Sequence, residues 1–176
     1  MATSNTKKTN QKTKEANQKR TPTSKSLVTL LFLIYLASLF YITFFAWNYG
    51  SSYGPVSTDG RNLNVVPLLS IHNIYYYSPD LTNPIRILLG NVIMFIPFGF
   101  LLPLVYKRWR RSYLGILPVA FLAMMLSIFI EVNQYFFTFR VANVDDVILN
   151  TLGGFIGAII YAIGSKLHLL YIKITG

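Results

Sequence analysis

The residues of this chain that could do chemistry are a sparse set of acids, amides and arginines placed beside long apolar runs. Glu131 and Gln134 are three residues apart, so they share a face if the segment is helical. Asp146 and Asn150 share a helix face by the same rule, and Arg140 lies between the two pairs. Ionisable groups at membrane depth are costly and usually turn inward to pair, so they mark a candidate functional site. The full candidate set is Arg61, Asn62, Asn64, Asn91, Glu131, Gln134, Arg140, Asp145, Asp146 and Asn150.

Three interpretations of this polar set are open. The first is an ion-pair lock between helix ends through Glu131, Arg140 and Asp146, because a guanidinium fork can satisfy a carboxylate bidentately. The second is a divalent cation held by oxygens of Asp145, Asp146 and Glu131, although no calcium-loop pattern is present. The third is a ligand site in which the arginines meet anionic groups, the amides form hydrogen bonds and the acids orient the arginines.

Missing residue types narrow the chemistry further. The chain has no cysteine, which excludes disulfides, thiolate metal sites and cysteine nucleophiles. His72 and His168 are predicted to lie on opposite sides of a membrane, so they cannot serve one metal or catalytic centre. No H-E-x-x-H, G-x-S-x-G or phosphate-binding glycine loop is visible. We therefore predict no metal and no cofactor; whether the chain is an enzyme stays open, because no nucleophile accompanies the acids and arginines.

The elements that must position the polar residues are long apolar runs. The chain is 53% apolar and 12% charged, whereas a soluble domain carries about 25% charged residues. A helix that crosses about 30 Å of hydrocarbon needs about 20 residues, and the four runs hold 21, 20, 18 and 18. The runs are Leu27–Trp47, Ile87–Tyr106, Tyr113–Ile130 and Val147–Gly164. The sequence therefore predicts an all-α fold, a polytopic membrane bundle of four transmembrane helices.

The distribution of charge predicts how this bundle is oriented. Of the 16 Lys and Arg residues, 13 lie in the two terminal segments and in the connection Lys107–Arg111. The other three share the remaining connections with five of the six acids. An excess of Lys and Arg marks the cytoplasmic side, so both termini are predicted to be cytoplasmic and the polar set to face outward. The net charge of +10 also suits nucleic acid, but the basic tail lacks interleaved aromatics. We predict the lipid bilayer, and no nucleic acid, as a partner.

These patterns divide the chain into five segments. They are a disordered basic cytoplasmic tail (1–26), a first transmembrane helix (27–47), an outer loop (48–85), a core of three transmembrane helices (86–164) and a cytoplasmic tail (165–176). Within the outer loop, Leu63–Ile71 is apolar enough for a short interfacial helix or turn. Pro97 and Pro103 predict a bent second span packed inside the bundle. Gly153 and Gly157 predict a flat face for close helix packing.

Several short motifs follow one another from Arg61 to about Gly164. They are Arg61–Asn64 with Pro67, Asn91-x-x-x-Phe95-Ile96-Pro97-Phe98-Gly99 with Pro103, Glu131-x-x-Gln134, Arg140, and Asp145-Asp146-x-x-x-Asn150-Thr151-x-Gly153. In this order and spacing they resemble the VanZ-like family of small bacterial membrane proteins. One departure is Asn143, where the family usually has an acid.

The resemblance implies a multi-pass protein of the bacterial cell membrane. The family's namesake is associated with resistance to the glycopeptide antibiotic teicoplanin, and an outward polar site suits such a role because glycopeptides and their wall-precursor targets lie outside the membrane. We therefore predict a VanZ-like protein that contributes to glycopeptide resistance by binding a cell-envelope ligand, either a lipoglycopeptide or a lipid-linked cell-wall precursor. A membrane-embedded hydrolase or transferase acting on an envelope lipid, and a structural or accessory subunit, are the alternatives.

Overall fold

Long helices dominate the part of the chain that the computed structural model describes, which is residues 22–45, 63–77, 82–137 and 141–175. The elements in these ranges are α1 (Pro22–Phe44), β1 (Leu63–Asn64), α2 (Leu69–Tyr77), α3 (Thr82–Arg110), α4 (Ile116–Phe137), β2 (Ala142–Asn143) and α5 (Val144–Thr175). Four of the described helices, α1, α3, α4 and α5, are long and apolar enough to cross a membrane. Many large apolar side chains on them are exposed, which is typical of lipid-facing helices. The predicted membrane bundle of four helices is confirmed.

The first and last membrane helices are longer than the apolar runs that predicted them. α1 begins at Pro22 rather than Leu27, which is consistent with the preference for proline in a first helical turn, where its missing N–H has no partner. α5 continues to Thr175, through most of the segment predicted as a tail. The predicted disorder of residues 1–21 lies outside the described residues. Apolar runs underestimate helix length because polar residues are tolerated where a helix leaves the hydrocarbon.

The third membrane helix also extends further than predicted. α4 runs past Ile130 to Phe137, so Glu131 and Gln134 lie within the helix rather than close its outer end. Both side chains are buried. Glu131 and Gln134 therefore share a helix face, as their spacing predicted, and that face is packed against neighbouring residues.

α3 and α5 lie side by side and run in the same direction. Asn91 near the start of α3 bonds Asp146 near the start of α5, and Lys107 near the end of α3 contacts Ser165 far along α5. From Asn91 to Lys107 the rise of 1.5 Å per residue amounts to about 24 Å, close to the thickness of a bilayer core. The two polar contacts therefore mark two ends of the bundle.

Glycines allow α3 and α5 to pack backbone against backbone. A Cβ atom added to Gly157 would overlap the carbonyl oxygen of Ile96, and one added to Gly153 would overlap that of Val92. Such contact is possible only where the residue lacks a side chain. The predicted packing face of these two glycines is confirmed.

α3 is a single helix through both of its prolines. The hydroxyl of Tyr35 in α1 donates to the carbonyl of Met94 at 2.8 Å, in the turn that precedes Pro97. Pro97 removes the N–H that would donate to the carbonyl of Ile93, one residue before Met94, so the Tyr35 bond ties α1 to this turn without replacing the lost bond. Phe95 is fully buried, which confirms that α3 packs inside the bundle; a bend at its prolines stays a prediction.

A short parallel strand pair is the feature that an all-helical pattern did not predict. Leu63 pairs with Ala142, and Asn64 pairs with Asn143. Two-residue strands carry too little periodicity to be recognised in a sequence. The pair holds residues 63–77, named the strap from here on, against the beginning of α5.

The helical part of the strap begins later than predicted. A short interfacial helix or a turn was expected within Leu63–Ile71, whereas α2 begins at Leu69 and extends to Tyr77. Leu68 has a φ of 66°, a left-handed conformation that breaks a right-handed helix. Pro67 immediately before it cannot donate a backbone hydrogen bond, so the chain turns at these two residues before the helix starts.

Candidate functional site

Asn143 at the start of α5 is the centre of a buried polar network. It precedes the first helical residue, and its Oδ1 accepts from the backbone N–H of Asp145 at 3.1 Å, as an N-cap residue does. Its own backbone N–H donates to Glu131 Oε2 at 2.8 Å. In a capping box the acid three residues into the helix, here Asp146, usually accepts that N–H. Glu131 from α4 takes this place, which ties α4 to the start of α5.

Asp145 caps a helix to which it does not belong. Its carboxylate accepts from the backbone N–H groups of Leu68, Ser70 at 2.8 Å and Ile71 at 3.2 Å, and the residue is only 1% exposed. These N–H groups start α2, and Leu68 has no side-chain acceptor with which to cap it. The carboxylate also suits the positive end of the α2 dipole. Asp145 therefore positions the strap.

Asp146, the neighbouring acid, faces α3. Its Oδ1 accepts from Asn91 Nδ2 at 2.9 Å and from Asn143 Nδ2 at 3.4 Å. All three side chains are buried, where an unpaired charge would be costly. The contact between Asn91 and Asp146 links α3 to α5 at the end of the bundle where both helices begin.

Asn64 connects the strap to the same network. Its Nδ2 donates to Asn143 Oδ1 at 2.9 Å and to Ser70 Oγ at 2.8 Å. Its Oδ1 accepts from the backbone N–H of Val66 at 3.1 Å, an Asx turn that reverses the chain after β1. One amide thus shapes the turn and holds it to α5.

Gln134 and Asn150 make buried hydrogen bonds to other parts of the bundle. Gln134 Nε2 donates to the carbonyl of Thr43 at 2.8 Å, which ties α4 to the end of α1. Asn150 Nδ2 donates to Ser127 Oγ at 2.8 Å, and Asn150 Oδ1 is buried without a hydrogen-bond partner among the described residues. Asn150 therefore forms a separate pair between α4 and α5.

The structure brings together half of the residues predicted for the site. Those joined through Asn143 are Asn64, Asn91, Glu131, Asp145 and Asp146. Three predicted site residues lie outside the described residues: Arg61, Asn62 and Arg140. The predicted ion pair of Arg140 therefore stays a prediction.

Sequence reasoning missed several polar partners in this end of the bundle. Asn143 had a usable signal, since an asparagine directly before an acidic first turn is a typical N-cap. Ser127 and Thr43 had none, because a lone hydroxyl inside an apolar run commonly bonds its own helix. Which hydroxyl meets a partner from another helix depends on how the helices pack.

The described ranges hold no group of three His, Cys, Asp or Glu side chains that could bind a metal ion. Glu131, Asp145 and Asp146 each accept hydrogen bonds from amide groups instead. The cation interpretation of these acids gains no support from their geometry.

A groove of about 310 Å³ lies beside the network, between α4, the start of α5 and the start of the strap. Residues with polar side chains that line it are Asn64, Glu131, Tyr135 and Asn143, but almost all of the surface that they and their neighbours expose to the groove is apolar. Most of the rest of its wall is apolar and includes Leu63, Val65, Ile128, Val132, Phe136 and Val147. Part of the wall is the strap itself, so the shape of the groove depends on the contacts that hold the strap.

Comparison with known proteins gives this arrangement a family. A family model described as VanZ/LLP1 matches residues 32–165. The chain belongs to the VanZ/LLP1 family. It is 31% identical over 136 residues to Protein VanZ of Enterococcus faecium, an alignment that covers 77% of this chain and 74% of that protein. No solved structure matches the chain. The VanZ/LLP1 match spans every described residue of the network and the groove, and it confirms the resemblance.

Proposed function

We propose that this VanZ-family membrane protein binds an amphipathic cell-envelope ligand in the groove and thereby contributes to glycopeptide resistance of the teicoplanin type. The ligand class is a lipoglycopeptide or a lipid-linked cell-wall precursor. One observation carries the proposal: an open groove with an almost wholly apolar surface lies directly over the buried network, in front of Asn64, Glu131 and Asn143. Such ligands carry an apolar chain, and the apolar surface of the groove matches that chain.

The size and rigidity of the groove support binding of one part of such a ligand. Small-molecule pockets range from about 300 to 1,000 Å³, so a groove of about 310 Å³ encloses a chain segment or one polar unit. Its wall is held from behind by the hydrogen bonds of Glu131 and Asn143 that cap α5. A binding wall that is already fixed loses little conformational entropy when the ligand arrives.

We further propose that both termini are cytoplasmic, so that the groove lies toward the outer face. The excess of Lys and Arg at the opposite end supports this orientation. Because the chain has no cysteine, single cysteines at exposed Tyr77 and Ser112 can report it. On intact cells an impermeant maleimide is expected to label Tyr77→Cys and to leave Ser112→Cys unlabelled. The reverse labelling pattern would refute an outward groove.

Groove binding is tested by filling the groove from α4. Val132 lines the groove, whereas Met125 lies seven residues earlier on the same helix face and does not. Their side chains are 48% and 46% exposed, so each should accept a tryptophan equally well. Cells expressing Val132→Trp should become as susceptible to teicoplanin as cells without the gene, and Met125→Trp should keep resistance at equal membrane abundance. Equal resistance of the two variants would contradict the proposal.

A Glu131→Gln variant separates binding from catalysis. If the groove only binds, the purified variant should bind teicoplanin or a lipid-linked precursor more weakly, and resistance should fall in proportion. Lost resistance with unchanged binding would instead indicate that the carboxylate transfers a proton, as a hydrolase or transferase requires.

A further inference from the structure

The end of the bundle opposite the network concentrates positive charge from several helices. The run Lys107–Arg111 covers the last turn of α3 and the residue after it, and it holds four cations in five residues, all exposed. Lys107 Nζ lies 3.4 Å from Ser165 Oγ. That contact places exposed Lys166, the next residue of α5, beside the same run. Two helices thus bring their cations to one surface.

A tryptophan brings the beginning of α1 to this surface. Trp109 Nε1 donates to Thr29 Oγ1 at 2.9 Å, and Thr29 lies one turn after Lys25, whose carbonyl it bonds at 2.9 Å. The Trp109 side chain is nevertheless 60% exposed. Tryptophan that is apolar in body and polar at one edge is enriched at the headgroup level of membranes. The name basic end is used below for Lys25, Lys107–Arg111 and Lys166.

No acid among the described residues neutralises the basic end. The three described carboxylates, on Glu131, Asp145 and Asp146, belong to the network about 24 Å away along α3. Lys107, Arg110 and Lys166 are exposed and lie far from these carboxylates, so an anion from outside the folded chain can reach them.

We propose that the basic end binds the phosphate of an anionic phospholipid from the surrounding bilayer. Lys107, Arg110 and Lys166 are its phosphate contacts, because ammonium and guanidinium groups donate to phosphate oxygens. Trp109 packs beside the upper part of the acyl chain. The combination of cations at a helix end, an exposed tryptophan and apolar helix surface reproduces the order of groups along a phospholipid. This site is independent of ligand binding in the groove.

Quenching of tryptophan fluorescence tests the proposal on the full-length chain. The chain has two tryptophans, so Trp47→Phe leaves Trp109 as the single reporter. The protein is placed in phosphatidylcholine bilayers in which either phosphatidylglycerol or phosphatidylcholine carries a quencher near the top of its acyl chain. Quenching is expected at a lower fraction of quencher-labelled phosphatidylglycerol than of quencher-labelled phosphatidylcholine. Each phosphate contact removed should reduce this preference about fivefold.

A matched pair of variants decides the outcome. Lys166→Gln and Lys173→Gln make the same change on one helix, seven residues apart, and only Lys166 belongs to the basic end. The preference for phosphatidylglycerol should fall in Lys166→Gln, vanish in Lys107→Gln/Arg110→Gln/Lys166→Gln and persist in Lys173→Gln. An equal preference in Lys166→Gln and Lys173→Gln would overturn the proposal even if the triple variant does not fold. Displacement of the lipid by inorganic phosphate would also overturn it, in favour of a soluble anion.

Discussion

The two ends of the bundle treat charge in opposite ways. At the network, Asp145 and Asp146 are buried and accept hydrogen bonds from amide groups of the strap and α3. At the basic end, Lys107 and Lys166 are exposed. Buried charge at the network holds backbone segments in place, whereas exposed charge at the basic end can meet a partner. An ionisable residue in a membrane protein is therefore not by itself a sign of chemistry, and its partners must be identified first.

The network serves the groove by holding it together. The strap forms one wall of the groove, and Asp145 holds the strap through the start of α2. Glu131 and Asn143 line the groove and also bond each other. The contacts that hold this end together thus adjoin the groove proposed to bind a ligand, so variants at this end must be measured for both stability and binding.

The largest effect on stability is expected from removing the Asp145 carboxylate, which caps the start of α2. Asp145→Ala should lower the free energy of unfolding by about 3 kcal/mol, because it strips a charged acceptor from buried N–H groups. Backbone hydrogen exchange at Ser70 and Ile71 should accelerate most. Asp145→Asn keeps an acceptor oxygen, so its free energy of unfolding should lie between those of the parent and Asp145→Ala. Unchanged exchange at both amides in Asp145→Ala would show that the strap is held by other contacts.

α3 and α5 connect the two ends, and their close packing can be tested by adding one methyl group between them. Gly157→Ala should cost about 2 kcal/mol, because its Cβ would overlap the Ile96 carbonyl and force the backbones apart. Gly164→Ala on the same helix meets nothing within 4 Å and should stabilise the helix by up to about 1 kcal/mol. Unfolding in mixed detergent measures the free energy of unfolding of both variants. Equal losses of stability in the two would contradict backbone contact at Gly157.

A smaller effect should show that Asn150 lies apart from the network. Ser127→Ala should cost about 1–2 kcal/mol, since it leaves the buried Asn150 amide without its partner. The double variant Ser127→Ala/Asn150→Leu removes both polar groups and should recover most of that stability. Teicoplanin susceptibility of cells with the double variant should match that of the parent. If the double variant has the stability of the parent but loses resistance, Asn150 belongs to the functional site.

The smallest effect on stability is expected at the basic end. Lys166→Gln should change the free energy of unfolding by less than about 0.5 kcal/mol, because exposed charges contribute little to folding. The same variant is expected to lose lipid preference, so the two measurements together separate a binding charge from a structural one. A stability loss above 1 kcal/mol would place Lys166 among the structural charges.

The sequence predicted the membrane helices well and the network only in part. Length and apolarity are local properties, so the four spans were evident although their ends, such as Pro22 of α1 and Phe137 of α4, were not. Helix periodicity correctly placed Glu131 on a buried face. It could not show that this carboxylate accepts the N–H of Asn143, because that contact joins two helices across a connection.

What the sequence determined by itself is where the chain meets lipid and where its charges collect, since both follow from residue type along the chain. Only the tertiary structure decided what the charges do. Asp145 and Asp146 are adjacent and chemically identical, yet one caps α2 and the other bonds α3. Successive residues in a helix point in directions about 100° apart, so identical neighbours reach different partners, and only the packing of the surrounding elements determines which ones.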